Sequence, residues 1–197
     1  MPKQVDRTQR RQSLAEAVFA VIGSRGLEAV SLRDVADEAG VSMGAVQHYF
    51  ASKDEMLLFA LNHMRTRVLE RLRSAVEALP EASRRDTIRA GARVMLPVDE
   101  PGREEACVNL AFFARATVTP AYADLLRDGY ARILATTRAS LHAAAADGEL
   151  TPGADPDRDA TTLYFLVQGL VGPVLLGLVG AEDALALVDR HLDRLFT

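Results

Sequence analysis

Between Ser31 and Phe50 two short helical runs are joined by only Gly40 and Val41, a connection too tight to let the two helices lie antiparallel. Ser31 stands before Leu32, Val35, Ala36 and Ala39, whose spacing puts them on one side of a helix. Gly40 suits the left-handed conformation that ends such a helix, and Val41 plugs the angle between the two. Ser42 caps the second run, in which Val46, Tyr49 and Phe50 turn inward. That leaves Ser42, Met43, Gly44, Gln47 and His48 facing outward. The arrangement suits a reader of the DNA major groove: one helix braces across the backbone while the other offers its N-terminal side chains to base edges. Gln47 has the donor and acceptor to bond adenine in two places, and Met43 or Ala45 can touch a thymine methyl. Gly44 costs a helix about 1 kcal/mol relative to Ala, so its presence asks for a reason. Close approach to DNA is one, and tight packing within the protein is another. Tyr49 reads as half core and half hydroxyl donor, and Lys53, at a helix N-terminus, suits a phosphate.

The rest of the chain is also read as helix, because apolar residues recur at three- and four-residue steps and β-branched alternation is missing. The first helix is expected over Asp6–Arg25, burying Leu14, Ala17, Val18, Val21 and Ile22, with Gly26 ending it in a left-handed conformation. Ser52-Lys53-Asp54-Glu55 forms a capping box, whose Ser and Glu side chains satisfy backbone donors reciprocally. It opens a long helix to about Leu79, before Pro80. Further helices are expected near 83–96, 104–118, 120–147, 156–179 and 181–195. Breaks fall at Pro97, Pro101-Gly102, Gly148 with Pro152-Gly153, and Gly180. The fold class is therefore all-α. An N-terminal three-helix, helix-turn-helix DNA-binding domain (1–52) is joined by a long helix to a C-terminal helical bundle (53–197), and that helix belongs to both lobes.

Composition bears mainly on what the chain is not. A length of 197 residues suits one small and one larger lobe, and 49% apolar with 25% charged residues is the balance of a soluble protein with a substantial core. The net charge of −4 does not announce a nucleic-acid binder. The most basic stretch is the first twelve residues, where Lys3, Arg7, Arg10 and Arg11 stand against Asp6, an arm that places positive charge near phosphates. A single cysteine, Cys107, allows no intrachain disulfide and suits a reducing cytoplasm. The N-terminus lacks the apolar run of a signal peptide. Leu163 to Ala181 is nineteen residues without a charge, but Gln168, Pro173 and four glycines mark it as a buried helix seam rather than a membrane span.

The four histidines, at 48, 63, 142 and 191, never share the spacing that seats zinc, and Cys107 has no obvious neighbouring base. Glu104-Glu105 and the Asp155, Asp157, Asp159 series read as solvated helix starts, and a phosphate-binding glycine loop is missing. No catalytic residue, metal or cofactor is expected. An all-α enzyme is the rival from another class, and turnover of a small molecule is what separates it. A constitutive DNA-binding regulator without effector is the other rival, separated by its indifference to ligand.

The order of short helices, the Gly-Val-Ser-x-Gly turn at Gly40–Gly44, His48-Tyr49-Phe50 and the following Ser52-Lys53-x-Glu55-x-Leu57 resemble the TetR family of bacterial transcriptional repressors. The resemblance in motif covers about residues 12–60. Two later stretches are similar to the family's BetI-like branch: Leu110-Ala-Phe-Phe-Ala-Arg115-Ala, and Gln168-Gly169-Leu with Asp189-x-His191-Leu192. What this implies is a homodimer that binds a pseudo-palindromic operator on double-stranded DNA and responds to a small-molecule effector, itself not named by the sequence. Ser42, His48, Tyr49, Lys53 and Arg33 would then contact phosphate or sugar, and Met43, Gly44 and Gln47 would face the bases. At Gln47 many family members carry tyrosine, so this position reads a base here or does little.

The resemblance also implies an effector pocket among the helices after the long one, and dimerisation through the last two. Side chains suited to a pocket are His63, Met64, Met95, Asn109, Phe112, Phe113, Arg115, Tyr122, Tyr130, Tyr164, Phe165 and Gln168. An aromatic cage for a quaternary ammonium is what the BetI-like branch suggests, although the chain has no Trp. For the dimer, Gly169, Gly172, Gly177 and Gly180 thin one helix, while Leu185, Val188, Leu192 and Leu195 stripe the next.

Overall fold

The computed structural model describes residues 2–79 and 81–197, with side chains from Arg7 onward. Pro80, expected to follow the long helix, and the side chains of Lys3 and Asp6 in the basic arm lie outside the described residues. Among those described, the chain is all-α. The helices are α1 (Pro2–Arg25), α2 (Leu32–Glu38), α3 (Met43–Tyr49), α4 (Lys53–Glu77), α5 (Arg84–Met95), α6 (Glu100–Ala116), α7 (Pro120–Ala146), α8 (Pro156–Leu175) and α9 (Ala181–Leu195). A short 3-10 turn, Leu27–Ala29, follows α1. No helix among the described residues is long and apolar enough to cross a membrane.

Helix α1 begins at Pro2, ahead of the expected Asp6, and three further boundaries differ from expectation, each for a local reason. Gly26 has φ 81° and ψ 164°, positive but extended rather than left-handed helical, and it leads into the 3-10 turn that buries Leu27 and Val30. Pro101-Gly102 does not break the chain but opens α6. Proline suits a first turn, whose N–H has no helical partner. The Asp99 carboxylate then accepts the Gly102 N–H at 2.7 Å, and a Cβ on Gly102 would come within 2.9 Å of the Leu96 carbonyl oxygen. Helix α8 stops at Leu175, short of the expected 179. Gly177 takes φ 70° just beyond it, and Leu178 N–H bonds back to the Pro173 carbonyl at 2.9 Å.

The chain divides into two compact units. One holds the residues up to Arg67 together with Cys107–Leu126, and the other holds Val68–Ala106 with Arg127–Thr197. Helices α4, α6 and α7 contribute residues to both. In the first unit α1 buries the expected Leu14, Ala17, Val18, Val21 and Ile22, and also Ala15 and Phe19. The same unit buries Val35 and Ala36 of α2, Val46 of α3, Met56, Leu57, Ala60, Leu61 and Met64 of α4, and Phe112 and Tyr122.

The second unit is a core of α5, α7, α8 and α9, to which the uncharged stretch gives Leu163, Val167, Leu170 and Val174. Charged groups surround it. Arg71 reaches Glu105, a carboxylate only 5% exposed, at 2.5 Å, and both Asp99 carboxylate oxygens at 2.9 Å. Arg89 of α5 holds Asp189 of α9 with two bonds of 2.5 and 3.0 Å, and Arg85 pairs with Asp193 one turn on. The Arg89 hydrogen bonds hold the Asp189 carboxyl below the usual carboxylate range, against a smaller opposing effect of burial. A depressed carboxyl contributes stability that is present above its unfolded pKa, about 3.9, and is lost as pH falls through the lower folded value. Thermal melts taken between about pH 5 and pH 3 are therefore expected to show a falling midpoint that is shallower in Arg89→Met. An identical slope in the variant would remove Asp189 from the acid response. The pair is partly exposed, so the difference should be small.

Candidate nucleic-acid interface

Each end of the α2–α3 turn is fixed by side-chain and backbone chemistry. The Asp34 N–H donates to Ser31 Oγ at 3.2 Å, and the Asp34 carboxylate is held by the Ser31 hydroxyl and by Arg25 at 2.8 Å. These bonds, the Ser31 hydroxyl first, lower the Asp34 pKa, so the residue keeps its negative charge at the start of α2. At the other end Gly40 has φ 64°. Its N–H bonds to the Asp37 carbonyl at 3.3 Å and the Val41 N–H to Ala36 at 2.9 Å, the two bonds of a Schellman motif. Ser42 Oγ then accepts the Ala45 N–H at 3.2 Å and opens α3.

Helix α3 is anchored by few side chains. Val46 is fully buried, and Phe50, just past its end, is 1% exposed. Tyr49 is half-buried, its ring near-perpendicular to that of His48 with the ring centres 5.1 Å apart. Ser42, Met43, Gly44, Gln47 and His48 are all exposed. Arg33 is exposed at the start of α2, and Lys53 begins α4. Of the two reasons offered for Gly44, packing fails: a Cβ there would meet only Ser42 Oγ, at 3.9 Å.

The capping box departs from the expected pairing. Glu55 N–H donates to Ser52 Oγ at 3.1 Å, but the Glu55 carboxylate accepts from Ala51 N–H at 2.8 Å, one residue earlier than the reciprocal bond requires. Its other oxygen binds Arg11 at 2.9 Å. Arg11 was expected in the basic arm, and the structure turns it inward, while Arg7 and Arg10 stay exposed. The partners of Arg11, which are Phe50, Glu55 and Phe59, lie far along the chain, so no local pattern in the sequence marks this.

The residues suggested for an effector pocket divide between the two units. In the first, His63 binds Glu16 at 2.8 Å and stacks with Phe19 and Phe59. Met64 and Phe112 belong to the core, and Phe112 packs against the ring of the buried Tyr122. Asn109 is half-buried, whereas Phe113 and Arg115 are exposed. In the second unit Tyr130 and Tyr164 meet edge to face at 4.7 Å, with Phe165 at 6.0 and 5.5 Å from them. Burial, and then the neighbouring Tyr130, raises the Tyr164 pKa. Met95 packs on the core, and Gln168 is half-buried.

The residues expected at a dimer interface fall into two groups. Val188, Leu192 and Leu195 are 0%, 0% and 5% exposed, packed against α5 and α8 of their own chain, and Leu185 joins the same core in part. Gly177 and Gly180 lie beyond α8, one reversing the chain and the other capping α9, so they do not thin the helix. Gly169 and Gly172 do lie in α8, with nothing within 4 Å of an added Cβ. They continue an outer stripe that runs from exposed Phe165 to exposed Leu176.

These residues define the class: an all-α protein with a helix-turn-helix whose second helix is free to read DNA. Residues 14–59 match the profile of the bacterial regulatory proteins of the tetR family, and residues 84–197 match the BetI-type transcriptional repressor C-terminal domain. The chain thus belongs to the TetR family of bacterial transcriptional regulators. It is 35% identical over 170 residues to the regulator PksA of Bacillus subtilis, covering 86% of this chain and 80% of that one. With the regulator BetI of Agrobacterium fabrum it shares 32% identity over 196 residues, covering 98% and 91%. A regulator from Saccharomonospora viridis, solved in complex with choline, superposes with a TM-score of 0.87 at 26% identity, covering 96% and 99%.

Within this family, Gln47→Ala tests base reading. If Gln47 reads a base, affinity is lost for one operator sequence, by about 1–3 kcal/mol, and specificity relaxes at that position. Loss of equal size on all sequences would assign Gln47 to the backbone instead.

Proposed function

We propose that the chain is a homodimeric repressor, released from a pseudo-palindromic operator when a small molecule binds its larger lobe. The observation that carries this reading is the exposed, lightly anchored face of α3, with Gly44 open to close approach. Met43, Gly44 and Gln47 face the bases in this reading, and Arg33, Ser42, His48, Tyr49 and Lys53 hold the backbone. Residues 1–52 read DNA, and 53–197 bind effector and partner. The open stripe on α8 supports a two-fold helical contact, which would set the two reading helices about 34–36 Å apart or a multiple of that spacing. Helix α4, which has residues in both units, carries the effector's signal.

A quaternary ammonium is the first effector class to test. The choline complex of the Saccharomonospora relative supports it, and the rings of Tyr130, Tyr164 and Phe165 have the faces that attract such a cation. A coupling of about 1–3 kcal/mol is enough to weaken DNA binding about 5- to 150-fold, and DNA must weaken effector binding by the same factor. The test is fluorescence anisotropy on a duplex enriched from random-sequence DNA, titrated with choline and related cations. Release at saturating ligand supports an effector of this class. Binding that no member of a broad ligand panel alters would leave a constitutive regulator.

A further inference from the structure

Resting on the DNA-reading role of α3, we infer that Arg11 is a positioning residue for the reading helix, and that it sets the angle at which α3 leaves for α4. One guanidinium grips both halves of the exit from α3. Its carbon lies 4.7 Å from the centre of the Phe50 ring and 4.4 Å from that of Phe59, so it is held between the last anchor of α3 and a ring of α4. One of its nitrogens binds Glu55 Oε1 at 2.9 Å, while Glu55 Oε2 accepts the N–H of Ala51, the first peptide after Phe50. Phe50 in turn donates its own N–H to the Val46 carbonyl at 3.0 Å. Ring and backbone at the end of α3 are therefore tied to the same group on α1. Helix α3 has seven residues, of which only Val46 is fully buried. Its N-terminal end is the part left open, so its far end decides where Gln47 points.

Two facts separate this role from a phosphate contact. The guanidinium is committed to a carboxylate and two rings, and its Nε is buried without a hydrogen-bond partner. Burying such a donor is costly, and a solvated basic arm such as the exposed Arg7 and Arg10 has no use for it. Hydrogen bonds to base edges weaken steeply with misalignment, so a small swing of α3 lowers sequence discrimination before it lowers attraction to phosphate.

The test compares Arg11→Met, Arg11→Lys and Glu55→Gln with the wild-type chain, on the duplex that the wild type selects from random-sequence DNA and on random DNA itself, with salt varied. Arg11→Met is expected to lose about tenfold in affinity for the selected duplex, with its affinity for random DNA and its salt slope unchanged. Arg11→Lys recovers only part, because an ammonium lacks the planar fork and the stacking face. In the DNA-free chain the Ala51 amide exchanges faster in Arg11→Met than in the wild type. An equal loss on both DNAs, with the salt slope reduced by about one counterion, would make Arg11 a phosphate contact and overturn the inference. So would an unchanged discrimination ratio with a lowered melting temperature, the mark of a plain brace. Should Arg11→Met not fold, Glu55→Gln carries the same comparison. If the wild type enriches no duplex at all, the DNA-reading role itself falls, and Ala51 exchange still reports on the clamp.

Discussion

Gly44→Leu is expected to leave the chain folded while reducing its affinity for operator to that for random DNA. Leucine is nearly as good a helix former as alanine, and glycine inside a helix is worse by about 1 kcal/mol. The added side chain has room within the protein, since its first carbon meets only Ser42 Oγ, at 3.9 Å. The melting temperature should therefore hold or rise. The same side chain projects from the exposed end of α3, beside Met43 and Gln47, into the space that DNA must fill. In a two-fold complex the clash occurs at both half-sites. Specific complexes exceed non-specific ones by about a thousandfold or more, so collapse to the random-DNA level is a loss of at least that order. Anisotropy beside a thermal melt reads both effects. Full operator binding by the leucine variant would show that this end of α3 does not approach DNA.

Gly169→Arg is expected to give a folded monomer that has lost operator binding to a similar extent. Nothing lies within 4 Å of an added Cβ at Gly169, and the stripe from Phe165 to Leu176 faces outward. An arginine there costs its own subunit little. A partner helix brought against that stripe would meet a long charged side chain, repeated by symmetry on the other protomer. Each reading head alone holds one half-site, and joining two by a common interface is what turns two weak contacts into one strong one. Sedimentation should show half the wild-type mass, and the thermal melt should remain cooperative. A dimer of undiminished stability would place the interface on another face.

Local chemistry was the part most legible from sequence. Ser31, Ser42 and Gly40 each do what their side chain, or its absence, dictates to the nearest backbone, and each cap forms. Such bonds depend on residues three or four positions apart, which one chain displays openly. What the sequence hid was the identity of distant partners. The α9 stripe of Val188, Leu192 and Leu195 reads as a face that must be covered, and periodicity does not say whether its own α5 and α8 or a second subunit covers it. Arg11 looks like a member of a basic arm until Phe59 and Glu55, more than forty residues on, arrive beside it. Pro101-Gly102 carries the letters of a break, yet the preceding Asp99 turns them into a helix start. Residue type alone does not separate Phe112, buried in a core, from the Tyr130, Tyr164 and Phe165 group of rings.

Selection of duplexes from random-sequence DNA by the full chain tests the central claim most directly, because it presumes neither operator nor effector. A symmetric pair of reading helices predicts enrichment of a pseudo-palindrome, with half-site centres about one helical turn apart or a multiple of it. Enrichment of no sequence, or of a single site without two-fold symmetry, would contradict a dimeric repressor that reads DNA through α3.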